Sequence, residues 1–225
     1  MKIIAHRGAS AVTPENTPKS FSRALEAGVD GIELDVQLTR DAVPVVIHDT
    51  SVDRTTNGSG LVSQIGFKQL SGLDAGNGEH IPSLLQALNL IGGKAHTYVE
   101  LKESVEGNES AVIQCVLDAK CMDNVTFISF NHKSIDRIKV LGLKCKLGYS
   151  YESSIPKLDG AEGIDAVMCK YNLIGHELGS DAHRRGMEII AWTVDDAQKA
   201  IELAKIGVDG IITNDPERMM RVLRR

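Results

Sequence analysis

A TIM-type (β/α)8 barrel of the α/β class is what three features of the sequence predict. Extended apolar runs alternate with helical patterns along nearly the whole chain, and such alternation implies a mainly parallel sheet covered by helices. Gly28-Val29-Asp30-Gly31-Ile32 recurs as Gly207-Val208-Asp209-Gly210-Ile211, each copy after a helical pattern, so one αβ corner is used early and again late. Charged residues cluster at the C-terminal ends of the predicted strands, where barrel active sites are built.

Strand patterns lie at about 2–6, 31–37, 43–48, 96–102, 125–130, 144–149, 165–170, 187–193 and 209–213. Helical spacing marks about 17–27, 82–92, 106–121, 131–141, 174–185, 195–206 and 215–224. The first helix has a start signal in Asn16 or Thr17 followed by Pro18, a cap and a first-turn proline. Gly28 and Gly207 are placed to end helices in the left-handed conformation and turn the chain into a strand. Nine extended runs are one too many for the barrel. The surplus falls at 31–48, because Thr39-Arg40-Asp41-Ala42 is too short for a parallel crossover and fits an antiparallel hairpin. With Arg40 and Asp41 at its tip, His48 falls opposite Glu33 and on the same face. Residues 50–81 carry Gly58, Gly60, Gly66, Gly72, Gly76 and Gly78 without a strong period. A long Gly-rich insert of this kind predicts a functional lid, here beside His48 and over the barrel mouth.

At 225 residues and 42% hydrophobic content, the chain suits one domain spanning 1–225, with a well-buried core. Its net charge of −5 with mixed signs argues against a nucleic-acid partner, so any affinity for phosphate must be local to a cleft. No run approaches the length of a membrane helix, and none is expected to insert. The chain begins directly in a strand pattern, and the expectation is a cytoplasmic protein. A homodimer is compatible with the sequence, although nothing in it requires one. Cys115, Cys121, Cys145 and Cys169 form no C-x-x-C pair and are expected as buried free thiols.

Strand side chains alternate between faces, so Glu33 and Asp35 project together, and Glu100 projects with Lys102. Three carboxylates in one interior repel unless they are paired or bound to a cation. Oxygen-only ligation by Glu33, Asp35 and Glu100 favours Mg²⁺ or Ca²⁺ over zinc. The other reading is an ion-pair network with Arg7 and Lys102 that closes one end of the barrel. His6 and His48 each end a strand. Phosphodiester cleavage needs a base for the attacking hydroxyl and an acid for the alkoxide leaving group, and two histidines can supply both. Arg7 and Lys102 can bind non-bridging phosphate oxygens, one as a fork and the other as a point charge. Glu15 either caps the first helix or orients Arg7. Trp192, after Ile189-Ile190-Ala191, is at least as compatible with the core as with substrate contact. His80, His96, His132, His176 and His183 show no partner pattern.

In this order the motifs resemble those of the glycerophosphodiester phosphodiesterase family, in its compact bacterial cytoplasmic form. The matching stretches are His6-Arg7-Gly8, Pro14-Glu15-Asn16-Thr17, Glu33-Leu34-Asp35-Val36, Val46-Ile47-His48-Asp49 with Asp53-Arg54-Thr55-Thr56, Ile81-Pro82-Ser83-Leu84, Glu100-Leu101-Lys102, Ala191-Trp192-Thr193-Val194 and Ile212-Thr213-Asn214-Asp215-Pro216. The resemblance implies a divalent cation on Glu33, Asp35 and Glu100, an acid/base pair in His6 and His48, and phosphate contacts from Arg7 and Lys102. It implies cleavage of small-molecule glycerophosphodiesters into sn-glycerol 3-phosphate and an alcohol, with the glycerol 2-hydroxyl attacking phosphorus to give a cyclic phosphate that water then opens. The chain departs from the family pattern at Ala42, Gln86 and Asp195, in place of the usual glycine, acidic residue and asparagine.

Two other readings compete. A bacterial phosphatidylinositol-specific phospholipase C also uses two histidines on a barrel, but it works without a metal and acts at membrane surfaces, for which no aromatic or basic anchoring helix is evident. A non-catalytic phosphate-binding barrel would be expected to lose a histidine or a ligand, and none is missing. Fold alone does not separate these.

Overall fold

Side-chain parity determines how the sheet closes on itself. The computed structural model describes residues 1–224, the side chain of Ser104 excepted. Its strands are β1 (Lys2–His6), β2 (Gly31–Leu38), β3 (Pro44–Val46), β4 (His96–Leu101), β5 (Val125–Ser129), β6 (Lys146–Tyr151), β7 (Ala166–Lys170), β8 (Glu188–Trp192) and β9 (Gly210–Thr213). The α-helices are α1 (Pro18–Glu26), α2 (Phe67–Leu70), α3 (Leu84–Ile91), α4 (Glu109–Asp118), α5 (His132–Val140), α6 (His176–Arg184), α7 (Ala197–Lys205) and α8 (Pro216–Leu223). Eight strands pair in parallel in the order β1-β9-β8-β7-β6-β5-β4-β2, and β1 returns to β2 through Ile4–Gly31, Ala5–Ile32 and His6–Glu33. This is the expected closed (β/α)8 barrel. The stretch between β6 and β7 holds no helix, and buried Leu158, Ala161 and Ile164 cover the barrel there instead.

One face of each strand packs outward against the helices, through residues such as Ile32, Leu34, Val99, Phe127 and Ile189. The other face fills the barrel with Ile4, Tyr98, Ile128, Ala166, Met168, Ile190 and Ile212. His6 of β1, Glu33 and Asp35 of β2 and Glu100 of β4 sit on that inner face, above the apolar fill, whereas Lys2 of β1 pairs with Glu188 of β8 at its opposite end.

The Gly-Val-Asp echo is a repeated corner, and a third copy stands at Gly163-Ile164-Asp165. Gly28, Gly163 and Gly207 take φ values of 73°, 78° and 86°, a region open to glycine at little cost. In each copy the aspartate brackets one residue of the neighbouring strand. Asp30 Oδ2 accepts from the Ile3 N–H at 2.7 Å, Asp165 from Leu147 at 2.8 Å and Asp209 from Ile189 at 2.8 Å. The same aspartates donate their own N–H groups back to those residues' carbonyls.

Two expectations need correction here. The hairpin pairs Val36 with Val46 and Leu38 with Pro44, one residue away from the predicted register. Its loop is centred on Asp41, with Ala42 at φ 56° and the Thr39 N–H donating to Val43 O. His48 still reaches the inner face because β3 ends at Val46; beyond it the Gln37 side-chain amide donates to His48 O at 2.9 Å. The insert stands beside His48 as expected, with Arg54 paired to Asp49, but its residues 51–81 do not line the cavities at the mouth. It forms a small core of its own against the hairpin, with Val45, Ile47, Val52, Val62, Ile65, Leu70, Ala75 and Ile81 buried together. Of the cysteines, described as free thiols, Cys169 is buried while Cys115, Cys121 and Cys145 are only partly so. No described helix is long and apolar enough to cross a membrane.

Candidate active site

The neighbouring strands β2 and β4 bring Glu33, Asp35 and Glu100 together at 2%, 1% and 9% exposure. One oxygen from each lies within 4.8 Å of the others. An ion with oxygen bonds of roughly 2.0–2.6 Å fits inside such a span. The three acids are not equally provided for. Asp35 faces Arg7 Nε at 3.1 Å and Lys102 Nζ at 2.8 Å, and it accepts from Asn16 Nδ2 at 2.8 Å. Glu100 is paired with Lys102. Among the described residues, the Glu33 side chain accepts only from the Arg7 N–H, at 3.2 Å to Oε2, and its Oε1 is buried without a hydrogen-bond partner. Asp35 Oδ1 and Arg7 Nε also lack a well-directed hydrogen bond but lie in close ion pairs, so charge balance by Arg7 and Lys102 accounts for Asp35 and Glu100 and leaves Glu33 Oε1 with neither kind of partner. Such an orphan costs roughly 1–3 kcal/mol, more when charged, and an all-oxygen donor set suits a hard divalent cation.

The electrostatics carry the same asymmetry. Burial raises the Asp35 pKa, but Lys102 and Arg7 overcome it and hold the group well below the usual carboxylate range. Burial, then the Asp35 and Glu100 charges, push Glu33 well above that range. Burial and Asp35 lift Glu100 to about 7. Without a cation, the cluster has more acid than it can ionise together.

Arg7 takes φ 56°, an unusual conformation for a side-chain-bearing residue, of the kind that clusters at functional sites. It is held by its neighbours. Its N–H donates to Glu33 O, and its own carbonyl accepts from the Asn16 N–H. Gly8 follows at φ 81°, where a Cβ would lie 2.6 Å from the Ser20 backbone, so only glycine fits. Glu15 orients Arg7 at 2.8 Å and leaves the α1 cap to Thr17, whose hydroxyl accepts from the Ser20 N–H.

Both histidines face the same cavity, in different company. His6 is mostly buried, and its Nδ1 lies 2.7 Å from Asn214 Oδ1 while Nε2 is 3.9 Å from Glu33 Oε2. Burial and then Arg7 lower its pKa below 6.5. His48 Nδ1 lies 2.6 Å from Asp49 Oδ1. Arg54 clamps Asp49 through Nε at 2.6 Å and also reaches Glu15, tying both histidine-bearing loops together. The Arg54 hydrogen bond is the largest influence holding Asp49 down at about 2.

The cavity has a volume of about 340 Å³ and is lined by His6, Arg7, Glu33, His48, Glu100 and Lys102 on one side. Ile128, Phe130, Met168, Trp192 and Ile212 line the other. Trp192 packs edge-on against Phe130 with ring centroids 5.5 Å apart, so it belongs to the cavity wall. A second cavity of about 720 Å³ adjoins it at His48, Lys102 and Phe130. Residues 51–81 line neither.

All seven residues singled out from the sequence thus meet at one place. The sequence reading missed Asn16, Asp49 and Asn214 as partners of Asp35, His48 and His6, and missed Arg54 as the link between loops. All four stand inside matched motifs, which is a usable signal. Of the two cap candidates, Thr17 is the cap, and Asn16 at φ 57° turns its amide inward to Asp35. Of the histidines left aside, His96 pairs with Thr126 at 2.7 Å, His132 stacks on Tyr149 and His183 meets Asp209, all outside the acidic cluster.

Residues 6–218 match the glycerophosphoryl diester phosphodiesterase family. A glycerophosphodiester phosphodiesterase of Caldanaerobacter subterraneus subsp. tengcongensis is 38% identical over 238 residues, covering 99% of this chain and 98% of that one. Another from Bacillus altitudinis is 32% identical, covering 98% and 97%. Among solved structures, an Oleispira antarctica phosphodiesterase in complex with the product sn-glycerol-3-phosphate superposes with a TM-score of 0.93 at 29% identity, over 100% of this chain and 97% of that one. A glycerophosphodiester phosphodiesterase from Parabacteroides distasonis gives 0.87 at 30% identity, over 99% and 96%. A family match over residues 6–218 and relatives at 38% and 32% identity over nearly the whole chain mean that the chain belongs to the glycerophosphoryl diester phosphodiesterase family.

Proposed function

We propose that this protein hydrolyses small glycerophosphodiesters in the cytoplasm, releasing sn-glycerol 3-phosphate and an alcohol, with Mg²⁺ or Ca²⁺ held by Glu33, Asp35 and Glu100. The observation that carries the reading is the bare Glu33 oxygen among three carboxylates within 4.8 Å, with a histidine on either side. A cation bound there supplies positive charge beside the phosphoryl group.

The chain's own residues do the rest. Arg7 and Lys102 hold the non-bridging phosphate oxygens and neutralise charge as it develops. His6 has a neutral ring at neutral pH, so Nε2 takes the proton of the glycerol 2-hydroxyl as that oxygen attacks phosphorus. His48, braced by Asp49, gives a proton to the departing alkoxide, which leaves as the alcohol. The product is a cyclic phosphate, with His6 protonated and His48 neutral. Water then attacks phosphorus, giving its proton to His48 while His6 returns one to the 2-oxygen. Both histidines end as they began. Proton transfer of this kind contributes about 10²–10⁴-fold in rate. The apolar wall of Ile128, Met168 and Ile212 lowers the local dielectric and strengthens each of these charge interactions.

The test is incubation of the purified protein with a panel of glycerophosphodiesters, with chelator or with added divalent cation, and assay of released glycerol phosphate. Turnover that chelator abolishes and Mg²⁺ or Ca²⁺ restores supports the reading. Full turnover in excess chelator overturns the metal assignment, and no turnover on any diester overturns the substrate class.

A further inference from the structure

His6 does not act alone on its outer side. Asn214 stands between it and Asp195, the residue that follows Val194 after β8. Asp195 Oδ1 accepts from the Thr213 hydroxyl at 2.8 Å and from the Asn214 N–H at 2.7 Å. Its Oδ2 lies 2.6 Å from Asn214 Nδ2. An ionised carboxylate only accepts hydrogen bonds, so the Asn214 atom facing Asp195 has to be the amide nitrogen. The amide oxygen is then the atom turned to His6 Nδ1, at 2.7 Å. An oxygen there requires a proton on Nδ1, which leaves the lone pair of the neutral ring on Nε2, the nitrogen 3.9 Å from Glu33 Oε2. Ser10 does not decide the matter, because its single proton is also satisfied by the His6 carbonyl at 2.7 Å.

We infer that Asp195, which stands where the family pattern has asparagine, is a positioning residue that in this chain sets the tautomer of His6 by fixing which way the Asn214 amide points. The inference rests on the proposed role of His6 as the base, since only the Nε2 lone pair faces the reacting hydroxyl. The donor–acceptor chain has a direction, and that makes it testable. In Asp195→Asn, an amide nitrogen at the Oδ2 position meets the Asn214 amide nitrogen, and two donors conflict. Turning Asn214 relieves the conflict but points its nitrogen at His6, which favours the tautomer protonated on Nε2. In the swapped pair Asp195→Asn with Asn214→Asp, residue 195 donates to 214 and the carboxylate at 214 accepts from His6 Nδ1. The direction is restored with the same atoms in the same places.

The experiment is ¹⁵N NMR of histidine-labelled protein at a pH where the ring is neutral, with the His6 signals identified by their loss in His6→Ala. It is paired with kcat and KM on a glycerophosphodiester. Wild type is expected to show Nδ1–H. The single variant D195N is expected to populate Nε2–H and to lose about tenfold or more in kcat, with KM nearly unchanged and an unaltered melting temperature. The double swap is expected to return to Nδ1–H and to recover most of the lost kcat. Nε2–H in the wild type, or D195N keeping both Nδ1–H and wild-type kcat, would overturn the inference. If wild type cleaves no glycerophosphodiester, the substrate assignment fails, while the tautomer series still decides the role of Asp195.

Discussion

On the side of the cleft made by β1, β2, β4 and the loop after β3, the residues that line the cavity are His6, Arg7, Glu33, His48, Glu100 and Lys102, all titratable. On the side made by β5 to β9 they are Ile128, Phe130, Met168, Trp192 and Ile212, joined by Ser150, Glu152 and Thr193. The two sides do different work. The first concentrates charge that would be costly in an ordinary core and binds its parts to one another through Asn16, Glu15, Asp49 and Arg54. The second offers little specific chemistry, but it excludes water and gives the organic part of a substrate a surface to lie against. Substitutions on the first side are therefore expected to act on kcat, and those on the second on KM.

The largest effect expected from this division is in His6→Ala and His48→Ala. Each should lower kcat by about 10²–10⁴-fold while circular dichroism and melting remain close to wild type. Near-wild-type turnover in either variant would remove that histidine from the mechanism. Phe130→Ala and Trp192→Ala probe the opposite wall. An aromatic contact is worth about 0.5–1.5 kcal/mol, so KM is expected to rise about two- to tenfold with kcat little changed. A collapse of kcat with steady KM would show that this wall also serves the chemistry.

The pH profile separates the charged side further. Burial and Arg7 lower the pKa of His6 below 6.5, so the ring keeps its lone pair into mildly acidic solution. The acid limb of kcat/KM is therefore expected below pH 6.5, and a bound cation would move it in the same direction. An acid limb at or above pH 6.5 would mean that His6 is not the group that must be neutral. The smallest effect belongs to the hairpin tip. Ala42 at φ 56° pays a steric cost of about 1–2 kcal/mol for the left-handed conformation, against roughly 0.5–1 kcal/mol of chain entropy for glycine. Ala42→Gly is expected to stabilise the protein by about 0.5–1 kcal/mol in urea unfolding and to leave kcat unchanged.

The charged side was legible in the sequence because strand parity is a short-range property. Glu33 and Asp35, or Glu100 and Lys102, share a face whatever the rest of the chain does. The barrel followed from alternation and from the corner repeated at Gly28 and Gly207. The copy at Gly163-Ile164-Asp165 escaped notice because alanine and valine follow its aspartate where the others have glycine and isoleucine. The apolar side was not legible, since Ile128 and Met168 read like any core residue until the barrel closes. Nor was the pairing of His6 with Asn214, because the two meet across 208 positions and no local pattern marks such a pair. The hairpin register was missed for a local reason. Ala42 accepts a conformation usually left to glycine, and this moves the turn by one residue.

The account stands on three carboxylates gathering one cation between two histidines. Calorimetric titration of Mg²⁺ or Ca²⁺ into metal-free wild type and into Glu33→Gln measures this without reference to substrate. The expected result is saturable binding of one ion per chain in wild type, weakened at least about tenfold when Glu33 loses its charge. Absence of saturable binding in wild type, or equal affinity in the two proteins, would contradict it.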